Sequence, residues 1–333
     1  METVRYEFIL EASSPIAHHS ETIGNEAIVM RESVKQPDGT FIDVPIITGD
    51  TMRHGLREVG AYAYLDAAGK LNDPWLSEGA LRLLFAGGMV TGKSSSSSID
   101  LHKYRSMSSL LPLLPLLGGC TDNRIIPGKL TVSSAKLICE ETWSKLVRMS
   151  PWIVDAMKSH GEQVGCAAEH IDEEQRVRMD PTLVPAKRLL MSNDAQVHTN
   201  KRLTSSETAH TTNDAIEARD SKSTMMPRRY EVVKSGSLFH WSVTAIVHSA
   251  LERDTFDLMI ALFLANCRVG GKRGTGHGAL TPRHSVNVKL RPWDPETSAL
   301  VPTNGSPAIG KLFREHIKAH AEEIDRLLKT IVA

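Results

Sequence analysis

The sequence predicts an α+β protein whose core is a ferredoxin-like βαββαβ unit enlarged by insertions. Three observations carry that prediction. Val4, Tyr6, Phe8 and Leu10 alternate with Arg5, Glu7 and Glu11, the period of a half-buried strand. Phe239, Trp241, Val243, Ala245 and Val247 repeat the pattern against His240, Ser242, Thr244 and His248 on the other face. Each of these strands is followed by an apolar helix, and the elements run strand, helix, strand, strand, helix, strand.

Taken in order, the first strand leads into a polar stretch from Ser13 to about Asp43. Thr48-Gly49-Asp50 then caps a helix in which Met52, Leu56, Val59 and Ala63 share one face. A second helical segment, Leu76 to Ala86, ends at Gly87-Gly88, where glycine suits a left-handed stop. Residues 89–127 are mixed, and Ser94 to Ser98 read as a loop. Lys129 to Cys139 is the second strand, with Leu130, Val132, Leu137 and Ile138. Residues 140–228 are polar and irregular. After the third strand (Ser237 to His248), Asp254 is expected to cap the apolar helix that runs to Cys267. Val286, Val288 and Leu290 mark the fourth strand. A Pro-rich linker follows, and Ser306-Pro307 opens a last helix whose stripe is Ile309, Phe313, Ile317, Ile324 and Leu328. The expected organisation is one domain over 1–291, with insertions at about 13–47, 89–127 and 140–228, then a linker and helix over 292–333.

At 333 residues and 41% hydrophobic content the chain can bury a sizeable core. Lys plus Arg and Asp plus Glu are both 39, which excludes a wholesale polyanion-coating protein but not a local patch. No apolar run approaches a membrane span, and the N-terminus begins as a strand without a signal core, so a soluble, cytoplasmic protein is expected. The 4 cysteines, Cys120, Cys139, Cys166 and Cys267, are widely separated and lack zinc spacing. They point to a reducing compartment, with no disulfide framework, metal or cofactor.

The densest chemical signal is the loop Gly270-Gly271-Lys272-Arg273-Gly274-Thr275-Gly276-His277-Gly278. Its glycines allow close approach of a ligand to the backbone, and Lys272, Arg273 and His277 add positive charge. From Leu258 to Trp293 there is no Asp or Glu, while Arg268, Lys272, Arg273, Arg283, Lys289 and Arg291 are cationic. That imbalance favours a polyphosphate partner. The loop runs from helix into strand, the reverse of a dinucleotide fingerprint.

Other patterns are weaker. Gly87 to Ser94 matches the P-loop spacing, with Lys93 and Ser94 in the phosphate and magnesium positions. A P-loop needs a strand before it, whereas Leu81 to Ala86 reads as helix, so a flexible loop with a phosphate-seeking lysine fits better. His18-His19 follow the first strand as exposed polar residues or as an acid–base group for RNA chemistry. Lys201-Arg202 and Arg228-Arg229 bracket a Thr/Ser-rich insertion and could grip a phosphate chain, with Met225-Met226 wedging between bases.

The order of these motifs resembles the RAMP superfamily, and within it the backbone subunits of CRISPR effector complexes (the Cas-seven group). Ser14-Pro15-Ile16-Ala17-His18-His19 is similar to that family's S-P-L-H-x-G stretch. Val44 to Arg57 resembles Y-I-P-G-S-S-L-K-G-A-L-R, with Arg53 at the family's lysine. Leu84-Phe85-Ala86-Gly87 resembles L-F-G, and Pro127 to Ala135 resembles G-x-L-x-V-x-D-A. Asn200 to Thr204 is similar to the thumb's x-x-R-x-T, Tyr230 to Phe239 to x-E-x-V-x-x-G-x-x-F, and Gly270 to Gly278 to the hallmark glycine loop. The matches fall in the family's order between residues 14 and 280.

The resemblance implies a modified ferredoxin-like, RNA-recognition-motif-like palm with thumb and helical insertions. It implies copies that polymerise along a guide RNA (crRNA), with other CRISPR effector subunits and a target nucleic acid paired with the guide as partners. The glycine loop and the Arg53/Arg57 helix would touch the RNA backbone, and the thumb would displace a base at intervals. RNA-cleaving relatives carry an aspartate in I-D-N-P-V-V-R. Here Ile23 to Arg31 has none, and Glu26 is a shifted substitute, so no catalytic residue is expected. That departure, with the 89–127 insertion and the C-terminal helix, looks most like the type IV CRISPR backbone subunit. Three alternatives stand beside this reading: a ribonuclease processing guide precursors through His18 or His19, a P-loop NTPase, and a scaffold that binds only protein.

Overall fold

The computed structural model describes residues 1–23, 26–71, 76–88, 101–121, 124–160, 164–177, 227–291, 294–299, 309–329 and 331. These divide into two units, the first comprising residues 1–20, 29–172 and 232–333 and the second 21–28 and 173–231.

The first unit is built on β1 (Glu2–Ala12), followed after a short segment by the hairpin β4 (Arg31–Lys35) and β5 (Phe41–Ile47). α1 (Gly49–Ala67) follows, its N-cap Thr48 accepting from the Thr51 amide as its sequence position implies. α2 (Glu78–Ala86) stops where Gly87 adopts φ 83°, as expected. α3 (Leu101–Leu110), α4 (Leu113–Leu117) and the small β6 (Gly119–Thr121)/β7 (Arg124–Ile126) pair complete this region. The expected second strand is two short ones, β8 (Leu130–Val132) and β9 (Ala135–Leu137), interrupted by Ser133-Ser134. The Ser133 hydroxyl accepts the Ser242 amide at 2.9 Å, bridging the interruption.

α5 (Glu140–Met149) and α6 (Trp152–His160) precede the long strand β12 (Leu238–Val247), then α7 (Ala250–Ala265), β13 (Leu280–Arg291), β14 (Asp294–Ala299), α8 (Lys311–Ala319) and α9 (Ala321–Lys329). The sheet runs β14-β13-β1-β12-β9-β5-β4, with β8 also paired to β12. Its centre, β13-β1-β12-β8/β9, is antiparallel throughout. In units of the βαββαβ motif this is strand order 4-1-3-2, the ferredoxin-like arrangement.

Cross-strand pairing explains the core. Phe8 lies opposite Trp241 and Tyr6 opposite Val243. The Phe8 and Trp241 rings stack at 5.1 Å, and Phe263 of α7 meets the Trp241 edge at 5.5 Å. Tyr6 and Phe256 stack at 5.5 Å. Met52 and Leu56 of α1 join this cluster, as do Phe313, Ile317, Ile324 and Leu328 of α8 and α9.

Four sequence expectations are corrected. The stretch 13–43, read only as polar, holds strands, because its short alternating runs find partners only in tertiary contact. Residues 140–160 form two helices that cover the second face of the sheet. There Ile9, Ile138, Leu146, Ile153, Met157 and Leu238 form a separate cluster. His240, on the strand face opposite Trp241, is therefore 3% exposed. Asp254 does not cap its own helix; Ser249 does, accepting from the Glu252 amide. The Asp254 carboxylate instead accepts the Gly310 and Phe313 amides at 2.7 and 2.9 Å and caps α8. Finally, the last helix is broken at His320 into α8 and α9, with Gly310 at its start; Ser306 and Pro307 lie outside the described residues.

Glu7 is the buried charge of the second face. Its carboxylate accepts from Trp152 Nε1 at 2.7 Å, pairs with Arg5 Nη2 at 2.7 Å and stands 3.5 Å from His240 Nε2. Burial alone would raise its pKa, but these donors and the Arg5 charge together pull it down to about 2.

A second sheet of four strands, formed mostly by residues of the second unit, runs in the order β10 (Ile171–Val177), β11 (Pro227–Val233), β3 (Glu26–Val29) and β2 (His19–Ile23). β11 and β3 are parallel, pairing Arg229 with Glu26 and Tyr230 with Ala27. The Tyr230 hydroxyl donates to Glu174 at 2.6 Å.

Candidate nucleic-acid interface

Three segments of the first unit meet around a cavity of about 520 Å³: residues 17–19 after β1, the first turns of α1, and the start of the glycine loop. Backbone hydrogen bonds hold them together. The Gly271 amide donates to Ala17 O at 2.7 Å, and the Gly278 amide to Pro15 O at 2.9 Å. The glycines at the loop's two ends allow this approach. Gly270 has φ 74°, and a Cβ there would lie 2.6 Å from Ala17 O; Gly278 has φ 83°, with a Cβ 2.0 Å from Val269 O. Gly274 has nothing within 4 Å of a Cβ position and faces open space.

His18 joins the loop to the helix. Its Nε2 accepts the Thr48 amide at 3.3 Å, which places the ring proton on Nδ1, and its carbonyl accepts the Met30 amide at 2.7 Å. Burial, and then the adjacent His19, lower its pKa from the ordinary histidine value. His18 is therefore a neutral bracket at physiological pH. His19 and His54 bring two further imidazoles to the lining.

Arg273 supplies the guanidinium, with Nη1 3.0 Å from Glu58 Oε2 on α1. Asp50 supplies the cavity's carboxylate. It is exposed and makes no side-chain hydrogen bond or ion pair among the described residues.

Of the residues singled out from sequence, His18, His19, Gly270, Gly271 and Arg273 line this cavity. Lys272 sits beside it with φ 60°, and His277 is 4% exposed beneath the loop. Arg53 and Arg57 are occupied elsewhere. Arg53 donates to Leu117 O and Leu130 O at 2.5 and 3.0 Å, and Arg57 to Leu117 O and Gly118 O at 3.0 and 3.1 Å. Both thus satisfy carbonyls at the C-terminal end of α4, which a short helix leaves without partners. Burial and the neighbouring Arg53 charge lower the Arg57 pKa to about 10, so it stays protonated.

Arg229 is exposed on β11, which also carries Arg228, in the second unit. Lys93, Ser94, Lys201, Arg202, Met225 and Met226 lie outside the described residues. Sequence reasoning missed His54, Asp50 and Thr51. The first two stand four residues apart on α1, a spacing that shares a helix face.

Chemically, the cavity offers hydrogen-bond donors and positive charge from Arg273 with ionisable imidazoles, the composition that suits a phosphodiester. No group of three or more His, Cys, Asp or Glu among the described residues could hold a metal ion. The P-loop context is absent as well, because Gly87 closes a helix. No helix of the described residues is long and apolar enough to cross a membrane.

Fold and cavity together define an α+β, ferredoxin-like palm with insertions, carrying an open furrow lined by histidines, Arg273 and Asp50. This chain is similar in structure to a chain of the solved assembly described as "Type IV-B CRISPR Complex", with a TM-score of 0.54 and 16% sequence identity. The likeness covers 92% of this chain and 98% of that one, and it shows the fold. No protein-family model matches the sequence, and no curated protein matches it.

Proposed function

We propose that this protein is a non-catalytic backbone subunit of a CRISPR effector ribonucleoprotein, most like the type IV backbone subunit. Copies oligomerise along a guide RNA in the cytoplasm, alongside other effector subunits, for defence against foreign nucleic acid. The observation that carries this reading is the furrow in which Arg273, His19 and His54 converge between the glycine loop and α1. The fold shared with a type IV-B complex chain supports it. A furrow lined by a guanidinium, imidazoles and backbone can hold sugar–phosphate without reading bases, as variable guide sequences require. In this proposal Lys201, Arg202, Arg228, Arg229, Lys93 and Ser94 also contact RNA phosphates, and Met225-Met226 wedge between bases.

The test is a filter-binding series across salt. Lys272→Ala combined with Arg273→Ala is expected to lower RNA affinity and flatten its salt dependence by roughly 1.4 slope units, two phosphate contacts at about 0.7 each on single-stranded RNA. An unchanged slope removes the furrow from the RNA path.

One observation favours a second reading, ribonuclease action on guide precursors: His19 and His54 line the same furrow, so two imidazoles are present for acid–base work. Cleavage of repeat RNA by purified protein, abolished by His54→Ala, would establish it.

A further inference from the structure

We infer that Asp50 makes the furrow selective for RNA over DNA by accepting a hydrogen bond from a ribose 2′-hydroxyl. This rests on the phosphate-cradle reading above and deepens it.

The argument begins with charge. Beside Arg273 and the imidazoles of His19 and His54, the Asp50 carboxylate repels the same phosphate that they attract. Glu58 is engaged with Arg273, whereas Asp50 is exposed and has no side-chain partner among the described residues. A carboxylate accepts hydrogen bonds and donates none. A sugar–phosphate chain provides a donor for it only at the 2′-hydroxyl, the group that distinguishes RNA from DNA. Dinucleotide folds use an acidic side chain on a ribose 2′-hydroxyl in the same chemical way.

Geometry agrees. Asp50 lies in the first turn of α1, one residue from Thr51 and four from His54, so it borders the space where the phosphate donors converge. At about 520 Å³ the cavity has the size of a small-ligand site, room enough for a sugar with its phosphate. DNA in this furrow would face the carboxylate with no hydroxyl to satisfy it.

The experiment compares single-stranded RNA, its 2′-deoxy version and its 2′-fluoro version, all of one sequence, by fluorescence anisotropy. The 2′-fluoro oligonucleotide keeps an RNA-like sugar but cannot donate. The wild type is expected to bind RNA about tenfold more tightly than either analogue, the worth of one hydrogen bond to a charged group. Asp50→Ala is expected to bring the three affinities within about twofold, with thermal unfolding confirming a folded protein. Asp50→Asn, which keeps a carbonyl acceptor and the helix turn, retains part of the preference. Equal wild-type binding of all three overturns the inference but leaves the cradle standing. So does a preference that survives Asp50→Ala, or 2′-fluoro RNA binding as tightly as RNA. Failure of the wild type to bind any of them overturns the cradle and this inference together.

Discussion

Arg273 Nη1 lies 3.0 Å from Glu58 Oε2, an ion pair that joins the glycine loop to α1 at the rim of the furrow. Each side chain is 34% exposed, so the pair is a solvent-screened contact worth about 0.2–1 kcal/mol. A phosphate that takes Arg273 must compete with Glu58 for it.

Glu58→Gln should therefore tighten RNA binding by about two- to fivefold, the free energy of a screened pair expressed as affinity. Anisotropy titrations over a salt series measure this. Affinity that does not move with Glu58→Gln would place Arg273 outside the phosphate contacts.

Arg57 is expected to act on stability rather than on RNA. Removing its guanidinium leaves Gly118 O without its donor while Arg53 keeps Leu117 O. Arg57→Met, which preserves the apolar stem, should cost about 1.5–3 kcal/mol in urea unfolding, the range for charge-assisted hydrogen bonds. The salt slope of RNA binding should stay at its wild-type value. A slope reduced with stability intact would instead put Arg57 on the phosphate chain.

Acid should destabilise the protein through three half-buried histidines. Burial lowers the pKa of His18, His170 and His316 in the folded chain. The unfolded chain then binds protons at the ordinary value near ~6.5 while the native protein resists them. Stability contributed by these residues is complete above that value and is lost as pH falls toward the folded pKa. Thermal unfolding between pH 7.5 and 5.5 should show the loss. His18→Gln, which keeps an acceptor for the Thr48 amide, should reduce the pH slope by at most about 1.4 kcal/mol per pH unit, one proton's worth. A wild-type midpoint that stays level across this range contradicts the neutral-bracket role of His18.

The legible parts of the fold are those with a strong local period. The period-two apolar positions of β1 and β12, the Thr48 cap of α1 and the Gly87 stop of α2 are legible because strand facing and helix capping are decided within a few residues. The glycine loop was legible as a special segment, but its chemistry was divided by packing. Gly270 and Gly278 serve approach to the chain's own Ala17 and Val269 carbonyls, and Arg273 reaches the furrow while His277 is buried. Asp254 was legible as a cap and assigned to the wrong helix, since a carboxylate reveals nothing about which amides will come within reach.

From sequence alone came the βαββαβ order, the four core strands and a cationic loop lacking acids. Tertiary structure alone decided that Arg53 and Arg57 face carbonyls of α4, that Asp50 and His54 border the loop, and that His240 lies under α6. The physical reason is range. Periodicity and capping arise from neighbours along the chain, whereas a side chain's hydrogen-bond partner and solvent access depend on segments that meet it only after folding, as with Arg273 and Glu58, which pair across a sequence separation of 215.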